Sequence, residues 1–247
     1  MISLLKEIFS PDMGGYMALS KLIEIDEFVY EIDSRIRALP NFKVENVRNV
    51  RKEFSKRIVK TSPRIVVSIA IHIIRLDRPG FEYRLVAYEL VSYHKAALHS
   101  LGEMELKTLG QSMCRWEDVD TFACYLAGPA WRELQVPDEL IHSWAGSEDR
   151  WWRRTALVCT VALNNKARGG KGDTTRTLDV CRLLVRDRDD MVVKAMSWSL
   201  RELSRRDPDA VQAFLLEYRG LLAPRVVREV NTKLTTGLKN PRRKSGL

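Results

Sequence analysis

The sequence predicts an all-α fold, a curved solenoid of short antiparallel helical pairs with a concave basic face. Three observations carry the expectation. Apolar residues recur at helical spacing along almost the whole chain. Proline and glycine cut that pattern into short segments with short connections. Such pairs cannot each bury an apolar face alone, so they must stack on their neighbours, although no strict repeat is visible. A compact irregular helical bundle is the alternative that this pattern leaves open.

The elements follow in order. A helix at 24–39 ends ahead of Pro40, and a second spans 45–60. The third, 63–76, opens on Pro63 and contains the ambiguous run IVVSIAIHII, whose β-branched residues favour a strand. Its flanks are helical and no partner strand is evident. Arg78-Pro79-Gly80 precedes a helix at 80–98, and Gly102 precedes one at 103–112. A helix at 116–127 should stop before Pro129, and Pro137 should start the next, 137–146. The helix at 149–163 runs into NNKARGGKGD (164–173), expected to be a mobile basic excursion, either a surface loop or an extra phosphate contact. Helices at 173–186 and 189–205 follow, then 208–218 and 223–236, where Pro208 and Pro224 sit in the first turn. Residues 1–236 read as one repeat domain and 237–247 as a basic tail.

Composition narrows the function classes. The 247 residues are 45% hydrophobic and 30% charged, as in ordinary globular proteins. The formal net charge is +9, and all of the excess falls after Glu148, ending in LKNPRRKSGL. That asymmetry favours a polyanionic partner, since neutralising phosphates releases counterions. Cys114, Cys124, Cys159 and Cys181 show no CxxC spacing, so free, partly buried thiols are expected. His72, His94, His99 and His142 form no HExxH, which argues against a zinc hydrolase, and no cofactor or metal is expected. MISLLKEIF is too short and interrupted for a signal peptide, and the apolar run 65–74 is about half a membrane span. A soluble cytoplasmic protein with no membrane partner is expected.

Three segments carry the chemistry: RWEDVD (115–120), DRWWRRTALV (149–158) and VVKAMSWSLREL (192–203). Residues three or four apart share a helix face, so Trp116 neighbours Asp120 and Trp151 neighbours Arg154. Lys194, Trp198, Arg201 and Arg205 form one stripe. A lone carboxylate among tryptophans and arginines suits a cationic ligand with an anionic backbone. Each residue also has a plainer reading: core packing for the tryptophans, a solvated helix charge for Arg154, and a helix-dipole acid for Asp120. Glu117 and Asp118 fit that last reading, as first-turn acids pointing away from Asp120.

With Trp116-x-x-x-Asp120, Trp151-x-x-Arg154-Thr155-Ala156 and Lys194-Ala195-x-x-Trp198-x-Leu200-Arg201-Glu202, the chain resembles the AlkD-like DNA alkylation repair glycosylases, which are built from HEAT-like repeats. Agreement in order and spacing runs through about residue 235, including DPDAV (207–211) and LAP (222–224). In the N-terminal half, NFKVENVRNVRKEF (41–54) lacks the glycine and proline of the family's turn there.

The resemblance implies a DNA glycosylase excising cationic N3- and N7-alkylated purines from double-stranded DNA. Asp120 would be the catalytic carboxylate, with Trp116 and Trp198 packed against the lesion nucleotide. Trp151 would stand beside them and Arg154 would grip a phosphate bidentately, while Lys194, Arg201 and Arg205 would be general charges. The family's habit of leaving the damaged base stacked would admit bulky adducts. One concave face binding one duplex suggests a monomer. Two other readings stay open: a non-catalytic HEAT-like protein binding damaged, bent or branched DNA, and a protein-interaction solenoid.

Overall fold

The run at 65–74 is helical. Val66, Ile69, Ala70 and Ile73 are all buried, an i, i+3, i+4, i+7 stripe that a strand would split between two faces. Pro63 occupies the first turn, where its missing N–H costs nothing. The computed structural model describes residues 15–76 and 80–239, with side chains from Glu24 onward. The Arg78–Pro79 break, the tail beyond Lys239 and MISLLKEIF lie outside the described residues. Among the described residues every regular element is helical, as expected, and no helix is long and apolar enough to cross a membrane.

Two compact units divide the chain, Met1–Ala97 and Leu98–Leu247. In the first, α1 (Gly15–Arg37), α2 (Val44–Arg57) and α3 (Pro63–Arg75) all pack on α4 (Phe81–Tyr93). Every residue from Tyr83 to Val91 is buried, so α4 is the core helix of this unit. Its Glu89 is fully buried and accepts from Arg48 Nε (2.7 Å) and Arg51 Nε (2.9 Å). The expected helix at 80–98 breaks at His94, whose Nδ1 accepts from the Ala97 N–H at 3.1 Å and opens α5 (Lys95–His99).

The second unit stacks helical pairs, in keeping with a solenoid-like fold. After α6 (Glu103–Leu109) come α7 (Trp116–Phe122), a π-helical turn (Ala123–Ala127) and α8 (Gly128–Arg132). Then follow α9 (Asp138–Ala145), α10 (Arg150–Asn164), a 3-10 turn (Lys166–Arg168), α11 (Thr174–Leu183), α12 (Asp190–Leu203), α13 (Pro208–Glu217) and α14 (Pro224–Thr236). Packing follows chain order: α7 to α8 lie on α10, α10 on α12, and α12 on α14, with α9, α11 and α13 flanking them. Arg154 to Asn164 are buried without interruption, which makes α10 the axis of the unit.

Pro129 does not end a helix, contrary to expectation. Helical structure continues from Trp116 through Arg132, with a π turn just ahead of the proline. There the Gly128 N–H bonds Ala123 O, one residue wider than an α-helical bond, and Pro129 enters the first turn of α8. A proline that would break a plain α-helix is absorbed because the wide turn has already interrupted the i to i−4 ladder.

Gly128 also fixes the approach of α8 to α10. A Cβ there would sit 2.6 Å from Ala162 Cβ, 2.7 Å from Ala123 O and 2.9 Å from Cys159 O. Two of these atoms are backbone and cannot rotate away. Overpacking of about 1–3 kcal/mol should exceed the roughly 1 kcal/mol that alanine gains over glycine in a helix. Gly128→Ala is therefore expected to lower the urea midpoint at unchanged m-value, for a net loss of up to about 2 kcal/mol.

Candidate active site

The site forms where α7, α10 and α12 meet. Helix α10 starts on Asp149, whose carboxylate accepts from the Trp151 N–H at 2.8 Å, and α12 starts on Asp189, which accepts from Met191 N at 2.8 Å. Arg153 ties the two starts together: it donates to Asp187 (2.7 Å), to Ser147 O (3.0 Å) and to Glu148 O (2.7 Å). These short-range caps fix the register of the two helices side by side. Arg154, one residue further along α10, is thereby held between α7 and α12.

Arg154 grips Asp120 side-on. Nε and Nη2 each donate to one carboxylate oxygen at 2.9 Å, and Nη1 donates to Met191 O at 2.6 Å. Arg154 is 5% exposed, while the Asp120 side chain keeps 17% of its surface open. The charged pair is thus buried from the arginine side and reaches solvent only at the carboxylate. A lysine could not reproduce this, because an ammonium is a point charge without the planar fork.

The electrostatics of Asp120 are a contest of opposing effects. Burial pushes its carboxyl above the ordinary value, and the hydrogen bonds and charge of Arg154 pull it down. Glu117 adds to the rise and Arg168 to the fall, and burial prevails. Removing a carboxylate from water costs several kcal/mol, more than charge-assisted bonds of about 1.5–3 kcal/mol each need return.

The tryptophans divide by environment. Trp116, at the start of α7, is 50% exposed, against the core-packing reading, and sits one turn from Asp120. Trp198 is half-buried on α12, two turns beyond the Met191 whose carbonyl holds Arg154. Trp151 is half-buried and carries the Arg150 guanidinium 4.8 Å above its ring. Its neighbour Trp152 is the packing residue, against Trp144 (ring centroids 4.9 Å) and Phe122 (6.1 Å). The structure joins Asp120 directly to Arg154 and sets Trp116 one turn from Asp120 on the same helix, while Trp198 shares only helix α12 with the Met191 carbonyl that Arg154 binds.

Several expectations change. Arg154 was expected on a phosphate, but its Nε, Nη1 and Nη2 all donate within the protein. Asp118 is fully buried rather than a surface first-turn acid. The charges of the α12 stripe have partners inside the protein: Lys194 pairs with Asp190 (2.6 Å), Arg201 donates to Ser197 (3.2 Å) and Arg205 lies 3.4 Å from Glu202. The segment 164–173 is tied down. Arg206 donates to Asn164 O (2.8 Å) and Gly170 O (2.7 Å), and Arg132 to Arg168 O (2.5 Å).

Sequence reasoning marked the 164–173 segment but singled out neither Arg168 within it nor Tyr125. The Arg168 guanidinium lies 4.9 Å from the centre of the Tyr125 ring, and its charge acts on Asp120. The four cysteines are free, and burial pushes the thiols of Cys124 and Cys181 up to about 12, so neither supplies a thiolate near neutral pH. Among the described residues no cluster of His, Cys, Asp and Glu could hold a metal ion.

Residues 39–234 match the family model for the DNA alkylation repair enzyme. The chain belongs to the DNA alkylation repair enzyme family. The match spans both compact units and contains the whole Trp116, Asp120, Arg154 and Trp198 set. Comparison with curated proteins and with solved structures gives no significant match. The family fixes the broad role, that of an enzyme repairing alkylated DNA, and DNA as its partner.

Removing Arg154 leaves a largely buried carboxylate without its counter-charge. Arg154→Ala should cost about 3 kcal/mol near neutral pH, at the low end for broken buried pairs because water reaches Asp120. The raised Asp120 pKa fixes the pH trend. Below that pKa the carboxyl is neutral, so the deficit of the variant should shrink as the buffer is acidified. Urea titrations at neutral and mildly acid pH check this, and a deficit that stays constant would contradict it.

Proposed function

We propose that this DNA alkylation repair enzyme is a monofunctional DNA glycosylase, hydrolysing the N-glycosidic bond of cationic N3- and N7-alkylated purines in duplex DNA. The carrying observation is the Asp120 carboxylate, open to solvent on one side and gripped on the other by buried Arg154.

An alkylated purine already bears positive charge, so it leaves as a neutral base once the C1′–N bond electrons move onto it. No general acid is needed. Positive charge then grows on the deoxyribose as the bond breaks, as in other oxocarbenium-like glycosyl transfers. A fixed carboxylate beside the sugar lowers the energy of that state, and the partly dry setting strengthens the effect.

Arg154 uses one acceptor site on each Asp120 oxygen, and a carboxylate has about four such sites. The remaining lone pairs can orient a water toward C1′ and accept its proton as the new C–O bond forms. Arg154 is a positioning residue here, because it acts through Asp120. The exposed Trp116 offers a π face to positive sugar C–H groups and to the cationic base, and Trp198 is assigned the same role from the other helix. Recognition through sugar and backbone would need no tight base pocket, which would admit bulky adducts. A monomer on one duplex suffices.

Methylated duplex DNA is the test substrate. The protein should release 3-methyladenine and 7-methylguanine and leave strands that break only on alkali treatment. Asp120→Asn should bind DNA with release lost. Salt-sensitive binding without release by the native protein would favour the non-catalytic reading.

The chemistry requires the ionised carboxylate, so pH provides a further check. Because burial raises the Asp120 pKa, release should fall off in acid at a pH above the ordinary carboxylate value of 3.8. Arg154→Ala removes a lowering influence, so its acid limb should move to higher pH. Superimposable acid limbs in single-turnover profiles would overturn the assignment of Arg154.

A further inference from the structure

The Asp120–Arg154 pair creates a problem for a nucleic-acid site. Its two charges cancel and Glu117 adds a negative charge nearby, so the centre itself offers nothing to a phosphate. A duplex that presents its sugar to Asp120 must bring backbone phosphates within reach of that carboxylate. A second cation has to meet them.

Arg168 is placed to do so. Among the described residues its guanidinium has no carboxylate partner, whereas Arg132, which holds its carbonyl, is paired with Glu133. Its guanidinium carbon lies over the Tyr125 ring, 4.9 Å from the centroid, and the planar fork of an arginine can give two N–H groups to one anion. The side chain is half-exposed, and its positive charge is felt at both Asp120 and Cys124.

Its presentation is built rather than incidental. Arg132 Nη1 holds Arg168 O at 2.5 Å, Gly172 N bonds Leu163 O at 2.9 Å, and Arg206 holds both Asn164 O and Gly170 O. Gly169 turns the chain at φ +83°, and a Cβ on Gly170 would lie 2.7 Å from the Leu163 backbone. The ring beneath Arg168 belongs to Tyr125, which stands within the π turn Ala123–Ala127.

We propose that Arg168, held over the Tyr125 ring, binds a backbone phosphate flanking the lesion nucleotide and so registers the damaged strand against the carboxylate. The proposal rests on the glycosylase reading for what the registration achieves. The phosphate contact itself can be tested without catalysis.

Two duplex series make the test. In binding, a duplex with an uncleavable abasic analogue at the lesion position carries a neutral methylphosphonate at each flanking phosphate in turn. Arg168→Ala should lower the slope of log K against log salt by about 0.9, the value for one phosphate. At one flanking position the methylphosphonate should weaken the native protein and leave Arg168→Ala unaffected. In single-turnover release of 7-methylguanine at saturating protein, Arg168→Ala should be slowed about tenfold or more. Tyr125→Leu should be slowed less, and Lys166→Ala, an exposed charge of the same loop, should match the native rate.

Additive effects of the variant and the methylphosphonate at every flanking position would overturn the proposal, even in an active enzyme. Coupling at one position without base release by the native protein would keep the phosphate site and remove the glycosylase reading. Equal slowing by Lys166→Ala would reduce Arg168 to one of several general charges and overturn its registering role.

Discussion

The bidentate grip of Arg154 on Asp120 is the constraint on which the second unit depends. It joins α7 to α10 directly and, through Met191 O, to α12. Stability alone would not select such a pair, since an apolar replacement of similar volume often serves a core equally well. What it provides is a carboxylate fixed by two hydrogen bonds, with part of its surface still open to solvent. The caps on Asp149 and Asp189 and the Arg153 tie keep the starts of both helices in step, so the fork meets its target squarely.

The chemistry turns on a balance between burial and pairing. A fully exposed Asp120 would be a weak electrostatic partner for a developing cation, because water screens it. Full burial without Arg154 would protonate the carboxyl. The arrangement falls between: burial lifts the group's pKa, the guanidinium restrains the lift, and part of the carboxylate stays open to solvent. Trp116 follows the same logic, since a half-exposed ring is available to a ligand in a way that the packed Trp152 is not.

Much of the fold was legible because the helical period and its punctuation agree. Pro63, Pro208 and Pro224 all open helices, and the stripe of Val66, Ile69, Ala70 and Ile73 decides the ambiguous run once neighbours are present to bury it. Pro129 misled for a physical reason: a π turn leaves no mark in hydrophobic spacing, yet it lets a helix pass through a proline. The segment 164–173 misled because its restraints come from Arg132 and Arg206, about 30 or more residues away in sequence. At the site, spacing correctly placed Trp116 beside Asp120 on one helix face. Which partner Arg154 takes is a tertiary matter, and spacing along one helix cannot tell a carboxylate in the next helix from a phosphate outside.

The close approach at Gly128 has a mechanical consequence. The helical run bearing Asp120 and the helix bearing Arg154 meet at van der Waals distance, with room for a hydrogen atom and nothing larger. Two elements in such contact shift as one block and cannot hinge apart. Carboxylate and guanidinium would therefore travel together whenever a duplex docks, and the pair has little freedom to tighten around a correct target or relax from a wrong one. On the proposed glycosylase reading, discrimination would then fall to the nucleic acid, and a damaged step that bends and unstacks at low cost would reach the carboxylate more readily than a sound, stiff one.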